Sequence, residues 1–317
     1  MALVLGIDEA GYGPVLGPLV CGATLWRAPD ALVDADWWDV LADAIVRAHR
    51  GGDARLAVAD SKEVFDRKRG LHSLERTVLA FATASGLARP ALSEWLAALG
   101  AGPLGDACPW YRDLAQPLPR DPARSAASGA AARLKASMES RGVGLIALRA
   151  AVVTEDAFNA RVARTRNKGA VILEAVLWHI AWALARGDDE PLYVRVDRLG
   201  GRTNYRDVLM SAWPERPLQV LATDDQRSAY RLAGRPACEL VFATGAEQRY
   251  LPVALASMLA KYVRELLMER FNAYWLERAP GLRPTAGYYT DAQRFLADIR
   301  PLLAHGPPAA DVFVRAR

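Results

Sequence analysis

Two apolar runs in this chain each close on a carboxylate, and that pairing limits what the chain can fold into. Ala2-Leu3-Val4-Leu5-Gly6-Ile7 is continuous and ends in Asp8-Glu9. Leu192-Tyr193-Val194-Arg195-Val196 ends in Asp197. Short runs of this kind, bounded by turn residues, read as strands buried on both faces. Strand ends in α/β sheets are where side chains leave the sheet edge and active sites collect. Adjacent acids on a strand point to opposite faces, but Gly11 and Gly13 permit a break close behind Asp8 and Glu9. Carboxylates gathered at two strand ends repel and raise each other's pKa unless a cation lies between them. An oxygen-only cluster suits Mg²⁺ or Mn²⁺. The alternative is ordinary caps and surface acids, and the pattern alone leaves both open.

The 317 residues are 52% hydrophobic and 24% charged, enough apolar material for one large domain or two small ones and against disorder. Cys21, Cys108 and Cys238 lie far apart with no CxxC or Cys/His spacing, which argues against a disulfide scaffold or structural zinc. Free thiols in a reducing cytoplasm are expected. No basic leader precedes the first apolar run. The longest apolar segment, Ala170 to Ala185, is interrupted by Glu174 and His179 and is shorter than the ~20 residues of a membrane span. A soluble, cytoplasmic protein without a membrane partner is expected. Residues 120–168 carry ten Lys/Arg against four acids, a larger positive excess than the +4 of the whole chain. That excess reads either as a phosphate-backbone surface or as the solvated face of an Arg-rich composition.

Strands are expected at 2–8 and 18–26, antiparallel across a short turn-rich link. Leu71, Leu74, Val78, Leu79 and Phe81 predict a helix within 66–85. A Pro-rich stretch joins helical pieces at about 91–99 and 123–141. A strand at 144–153 leads to a helix start with Thr154 as N-cap and Glu155 and Asp156 in the first turn. An apolar helix over 169–186 follows, and strands at 218–223, 228–233 and 237–243. A long helix spans about 252–276 with Pro252 in its first turn, and a last one about 290–304. Strands in meander, then alternating with helices, suggest a mixed sheet covered by helices. The glycines at 11, 13 and 17 have the wrong spacing for a dinucleotide loop, and no phosphate-binding GxxxxGK[ST] loop exists. The four histidines are scattered, so no Ser/His or Cys/His nucleophile site has sequence support.

Several blocks resemble those of ribonuclease HII. Asp8-Glu9-Ala10-Gly11-Tyr12-Gly13-Pro14 with Gly17-Pro18 resembles that family's DEAGRGPLAGP block. Asp60-Ser61-Lys62, followed by Arg67-Lys68-Arg69, looks like its DSK block and basic helix. Glu155-Asp156-Ala157-Phe158-Asn159 is similar to its I-D-x-x-N segment, and Val196-Asp197 falls at its VDG block. Residues 254–265, ALASMLAKYVRE, closely resemble AAASIxAKVxRD, and Gly287-Tyr288-Tyr289-Thr290 resembles GYGT. The blocks run in family order from 8 to 290, and the first and fifth are the specific ones. The family's fourth acid lies fourteen residues before the Ala-Lys lysine, a position held here by Glu247. Asp224 and Asp225 are less well placed substitutes.

The resemblance implies a ribonuclease H-like α/β fold: a central mixed sheet of about five strands with helices on both faces. Insertions are expected at roughly 86–142 and 214–236. It implies a catalytic domain over 1–250 and a helical part over 251–317 that completes the site. Asp8, Glu9, Asp197 and Glu247 would be the catalytic and metal-binding acids, holding two Mg²⁺ or Mn²⁺ ions. Gly11, Tyr12, Gly13, Lys62, Lys261, Arg264 and Tyr288 would contact the substrate. The implied activity is hydrolysis of the RNA strand of RNA–DNA hybrids, by a monomer. A same-fold nuclease with another substrate, and a binding protein without turnover, are the alternatives; acids at all four positions argue against the last. Tyr12 replaces the Arg of the family's GRG segment, which reads the ribose at an RNA–DNA junction. It reads as an aromatic platform or as a filler of the vacated space. Tyr289 replaces a glycine of GYGT, and Thr285-Ala286 stand where the family has a His.

Overall fold

The computed structural model describes residues 1–49, 53–61, 70–120, 122, 128–186, 189–303 and 310–316. Nine strands run in chain order among the described residues: β1 (Ala2–Ala10), β2 (Leu19–Ala28), β3 (Ile45–Val46), β4 (Leu56–Ala57), β5 (Gly144–Val153), β6 (Leu192–Asp197), β7 (Leu218–Thr223), β8 (Arg227–Leu232) and β9 (Cys238–Ala243). The described helices are α1 (Trp37–Val40), α2 (His72–Ala84), α3 (Leu92–Ala98), α4 (Ser128–Ser140), α5 (Glu155–Thr165), α6 (Lys168–Leu184), α7 (Arg206–Ala212), α8 (Ala246–Arg249), α9 (Leu251–Arg278), α10 (Tyr289–Leu303) and α11 (Ala310–Phe313). The expected starts of the helices at 66 and 123 lie outside the described residues.

Seven strands form one mixed sheet in the order β5-β2-β1-β6-β9-β8-β7. β1 is antiparallel to β2 and parallel to β6, and β6 is parallel to β9. The sheet exceeds the expected five strands because the β7–β8 hairpin, within the expected insertion 214–236, is added at the β9 edge. Alternation along β1 divides the core. Ala2 and Val4 face the layer that holds α9, whereas Leu3, Leu5 and Ile7 face α6. His179 on α6 is fully buried, its Nε2 lies 3.1 Å from the Cys21 carbonyl, and burial lowers its pKa to about 3. It is a core residue. The three cysteines are buried and unbridged. Thr154 does occupy the N-cap of α5, but its hydroxyl donates to Asp156 Oδ1 (2.6 Å) rather than accepting from the helix. No described helix is long and apolar enough to cross a membrane.

α9 lies across β1 and β2 at unusually short range, because two glycines face it. A Cβ on Gly6 would stand 2.2 Å from the Pro252 carbonyl carbon, and one on Gly22 would stand 2.4 Å from the Ala256 oxygen. Thr24 Oγ1 donates to the Pro252 carbonyl (2.8 Å) and so satisfies backbone at this contact. The described part of the insertion 86–142 wraps the far side of α9: Trp95 packs on Tyr262 (5.4 Å) and Trp110 on Phe271 (5.2 Å). Both faces of the sheet are therefore covered.

Gly6→Ala should force α9 off the sheet, since backbone atoms cannot yield as a side chain does. Overpacking of this kind costs about 1–3 kcal/mol or more. Urea unfolding should show the midpoint falling at unchanged slope, and a midpoint equal to the parent's would mean that α9 is not seated on Gly6.

Candidate active site

The acids gather where β1 and β6 end side by side. Ile7 pairs with Val196 in the parallel ladder, so Asp8 and Asp197 take the next position of adjacent strands, which lie about 4.8 Å apart. Asp8 is 8% exposed and faces α9. Burial first, then the charges of Glu9 and Asp197, push its pKa well above the ordinary carboxylate value. The Ser257 hydroxyl of α9 and the Glu9 amide, which donates to Oδ1 at 2.7 Å, oppose that rise. Ser257 Oγ also lies 3.2 Å from Ser61 Oγ, whose hydroxyl can donate to it, and both serines are buried. Asp197 Oδ1 accepts from the Ala246 amide (3.0 Å) at the start of α8.

α8 carries Glu247 in its first turn. Burial and the neighbouring Asp197 charge push the Glu247 pKa up to about 7, with a smaller push from Asp60. Glu247 Oε2 is buried without a hydrogen-bond partner among the described residues. Asp60 thus joins the candidate acids. It stood in the sequence within the Asp60-Ser61-Lys62 block, but nothing local linked it to Glu247.

Glu9 is placed differently. β1 continues unbroken to Ala10, so Glu9 leaves the strand on the α6 face, opposite to Asp8. It raises the pKa values of both Cys21 and Tyr12. The break that would have turned both acids to one side comes only at Gly11. Among the described residues, no three His, Cys, Asp or Glu close tightly enough to hold an ion as they stand.

The other sequence candidates divide. Lys62, with Arg67, Lys68 and Arg69, lies outside the described residues. Lys261 is mostly buried and pairs with Glu265. Arg264 is 1% exposed and donates to the carbonyls of Ala286 (3.1 Å) and Leu16 (3.3 Å). In this position it ties two loops together. Gly11 has φ +91° and packs on the Arg264 side chain, whereas Gly13 is open. The Tyr12 ring is half-buried, with Lys168 Nζ 4.8 Å from its centroid. Tyr288 and Tyr289 are exposed beside this loop, because Gly287 accepts from the Val15 and Leu16 amides. Asp224 and Asp225 serve the turn into β8, where Asp224 Oδ1 accepts from the Gln226 and Arg227 amides. The described part of the basic segment 120–168 is dispersed. Arg149 stacks on Trp178 and Trp182, Arg161 and Arg164 pair with Glu174, and Arg120 pairs with Glu269. Lys168 is the described member of that segment seen against Tyr12.

The ribonuclease H2 of Pyrococcus horikoshii OT3 superposes with a TM-score of 0.51 at 15% identity, covering 98% of this chain and 92% of that one. The fold is that of ribonuclease H2. The RNase HII of Archaeoglobus fulgidus, solved in a PCNA:RNase HII complex, gives a TM-score of 0.45 at 16% identity, over 99% of this chain and 94% of that one. Bst-RNase HIII, solved in complex with Mn²⁺, gives 0.42 at 17% identity, over 99% of this chain and 66% of that one. No protein-family model and no curated protein matches the chain. At 15% identity to the Pyrococcus protein the ribonuclease H2 fold is shared while the sequence has diverged, and the resemblance read from the sequence blocks holds at the level of fold.

Glu247 makes the site pH-sensitive. A carboxyl whose folded pKa is raised from about 4.3 to about 7 contributes stability below its unfolded value and loses it as pH rises through 7. The metal-free protein should therefore lose thermal stability between pH 5 and 8, and Glu247→Gln should remove part of that loss. Calorimetric melting temperatures across this range provide the check. Identical slopes for the two proteins would contradict the raised pKa.

Proposed function

We propose that this protein is a metal-dependent endonuclease that hydrolyses the RNA strand of RNA–DNA hybrids, leaving 5′-phosphate and 3′-hydroxyl ends. The observation that carries the reading is the placement of Asp8 and Asp197 side by side at the ends of parallel β1 and β6, with Glu247 against Asp197. The donor set fits a hard divalent cation. It is oxygen-only, the Asp197 charge raises the pKa values of Asp8 and Glu247, and Glu247 Oε2 is buried without a hydrogen-bond partner among the described residues. Asp8, Asp197 and Glu247 would hold Mg²⁺ or Mn²⁺, with Asp60 and Glu9 at the margins. A cation bound there supplies an activated water and stabilises charge on the leaving oxygen.

The chain's own groups do the rest. Ser257 and the Glu9 amide orient Asp8, and the Ala246 amide orients Asp197. Hydrogen bonds that orient both carboxylates before substrate arrives would lower the cost of assembling the site. Tyr288 and Tyr289 offer exposed rings beside the Gly11–Gly17 loop, where a sugar or base could stack. No side-chain nucleophile is required. Tyr12 and Tyr289 stand at positions where the related family reads its hybrid, which favours a second reading: the same chemistry on a different nucleic acid duplex.

Labelled hybrid, single-ribonucleotide duplex, RNA duplex and DNA duplex, each with Mg²⁺ or Mn²⁺, separate these readings. Cleavage of the hybrid is expected, and cutting of only RNA or DNA duplex would select the second reading. Asp8→Asn and Asp197→Asn should each lower turnover by roughly 10²-fold or more. Full activity in either variant would rule out the site.

Tyr12 lacks a positive charge and cannot make a charge-assisted bond to phosphate. Continuous RNA in a hybrid should therefore be preferred over a single embedded ribonucleotide. Tyr12→Arg should shift the ratio of the two rates toward the single ribonucleotide by about tenfold or more, as expected for a hydrogen bond to a charged group. A wild-type protein that already prefers the single ribonucleotide would refute this.

A further inference from the structure

A second buried arginine meets the loop that follows β1, from a part of the chain 300 residues away. Arg315 is 3% exposed. Its Nη1 donates to the Gly11 carbonyl and, at 3.5 Å, to that of Gly17, and its Nη2 donates to the Tyr12 carbonyl at 3.3 Å. Its own amide donates to the Val15 carbonyl at 2.8 Å. The guanidinium is seated on the Phe158 ring (3.9 Å), with Glu155 as the opposing charge and Arg264 as a like one. Asn159, next on α5, brackets the same segment: its Nδ2 donates to the Val314 carbonyl (2.9 Å) and its Oδ1 accepts from the Ala316 amide (2.7 Å).

Peptide planarity gives this contact a consequence. In a trans peptide the C=O and the following N–H point in opposite directions. Because the Gly11 and Tyr12 carbonyls both turn to one buried guanidinium, the Tyr12 and Gly13 amides turn away from it. Neither amide donates to an acceptor among the described residues. Two successive free amides form a small concavity that accepts an anionic or hydroxyl oxygen. Gly13 is exposed there, with open space around it.

We propose that Arg315 is a positioning residue: by gathering the Gly11 and Tyr12 carbonyls it aims the Tyr12 and Gly13 amides outward as a donor pair for an oxygen of the substrate strand. The substrate half of this rests on the proposed function, and the loop half does not. Neither Arg315 nor the segment around it belongs to any of the sequence blocks discussed above.

Two measurements separate the halves. Hydrogen exchange by mass spectrometry reads the loop in the free protein. The peptide covering 10–18 should exchange roughly tenfold faster in Arg315→Ala and less so in Arg315→Lys, with α9 peptides unchanged. Unaltered exchange in Arg315→Ala would overturn the proposal. The second measurement is steady-state kinetics on a labelled RNA–DNA hybrid with Mg²⁺ or Mn²⁺. Arg315→Ala should raise KM about tenfold with kcat changed much less, and added guanidinium ion should restore part of the loss. A loosened loop with unchanged KM, or a loss of kcat that guanidinium does not rescue, would remove the positioning role. If Arg315→Ala does not fold, Asn159→Ala releases the bracket from outside the loop and should show the same pattern more weakly; its absence there counts against the proposal. A wild-type protein that neither binds nor cuts the hybrid would refute the proposed function and the substrate half together. The exchange data would still decide whether Arg315 holds the loop.

Discussion

The contact between α9 and the sheet is the constraint on which the site depends. With glycine at 6 and 22, the helix backbone rests directly on β1 and β2. Any side chain there would lift α9 by more than an ångström, and Ser257 with it. Ser257 is the α9 group that reaches Asp8, and Arg264 two turns on reaches the loops at Leu16 and Ala286. One packing distance therefore sets the partner of the most buried acid and the position of the loop beside it. The apolar face of α9 supplies the energy for this closeness. Burial of each large aliphatic or aromatic side chain contributes about 1.5–3 kcal/mol, and Leu255, Leu259, Leu266 and Phe271 are among those fully buried.

The electrostatics run against folding and in favour of binding. Asp8 is held beside Glu9 and Asp197 in a place where burial alone already disfavours its charge. Glu247 meets Asp197 under the same conditions. Structural acids are normally paired with cations or well solvated, whereas these are raised chiefly by burial and by one another. Among the described residues, Lys261 pairs with Glu265, and Arg264 and Arg315 donate to loop carbonyls. Mutually raised carboxylates in a buried cluster are the arrangement in which perturbed titration marks a candidate functional site.

Much of this was legible from residues alone. The strands at 144–153, 192–197 and 218–223 coincide with the expected ones, because each is an apolar run bounded by turn residues. The pairing of Asp8 with Asp197 was legible because both end such runs. Arg264 and Lys261 were not, since a charge on a helix carries no mark of its burial in the local pattern. Both fall on the face of α9 that the neighbouring loops and Glu265 cover. The facing of Glu9 depended on where β1 stops, and a boundary two residues later reverses the expectation. Asp60 and Arg315 act across long separations, which no spacing rule reaches.

The tail segment also gives the insertion a place in the architecture. Arg315 can reach the Gly11 loop only if the chain just before it is anchored, and Phe313 is that anchor. Its ring packs against Trp110 (5.9 Å) and Trp275 (5.4 Å). Trp110 belongs to the Pro-rich stretch expected as an insertion, and Trp275 to the last turns of α9. Tyr111, next to Trp110, donates to Glu155 (3.2 Å), the carboxylate that opposes the Arg315 charge. The insertion thus supplies both the apolar socket for Phe313 and a hydrogen bond to the counter-charge of Arg315. Aromatic packing of this kind adds about 0.5–1.5 kcal/mol per pair beyond the area buried. What looked in sequence like material added to a compact fold becomes, in three dimensions, the support for a loop at the edge of the acidic site.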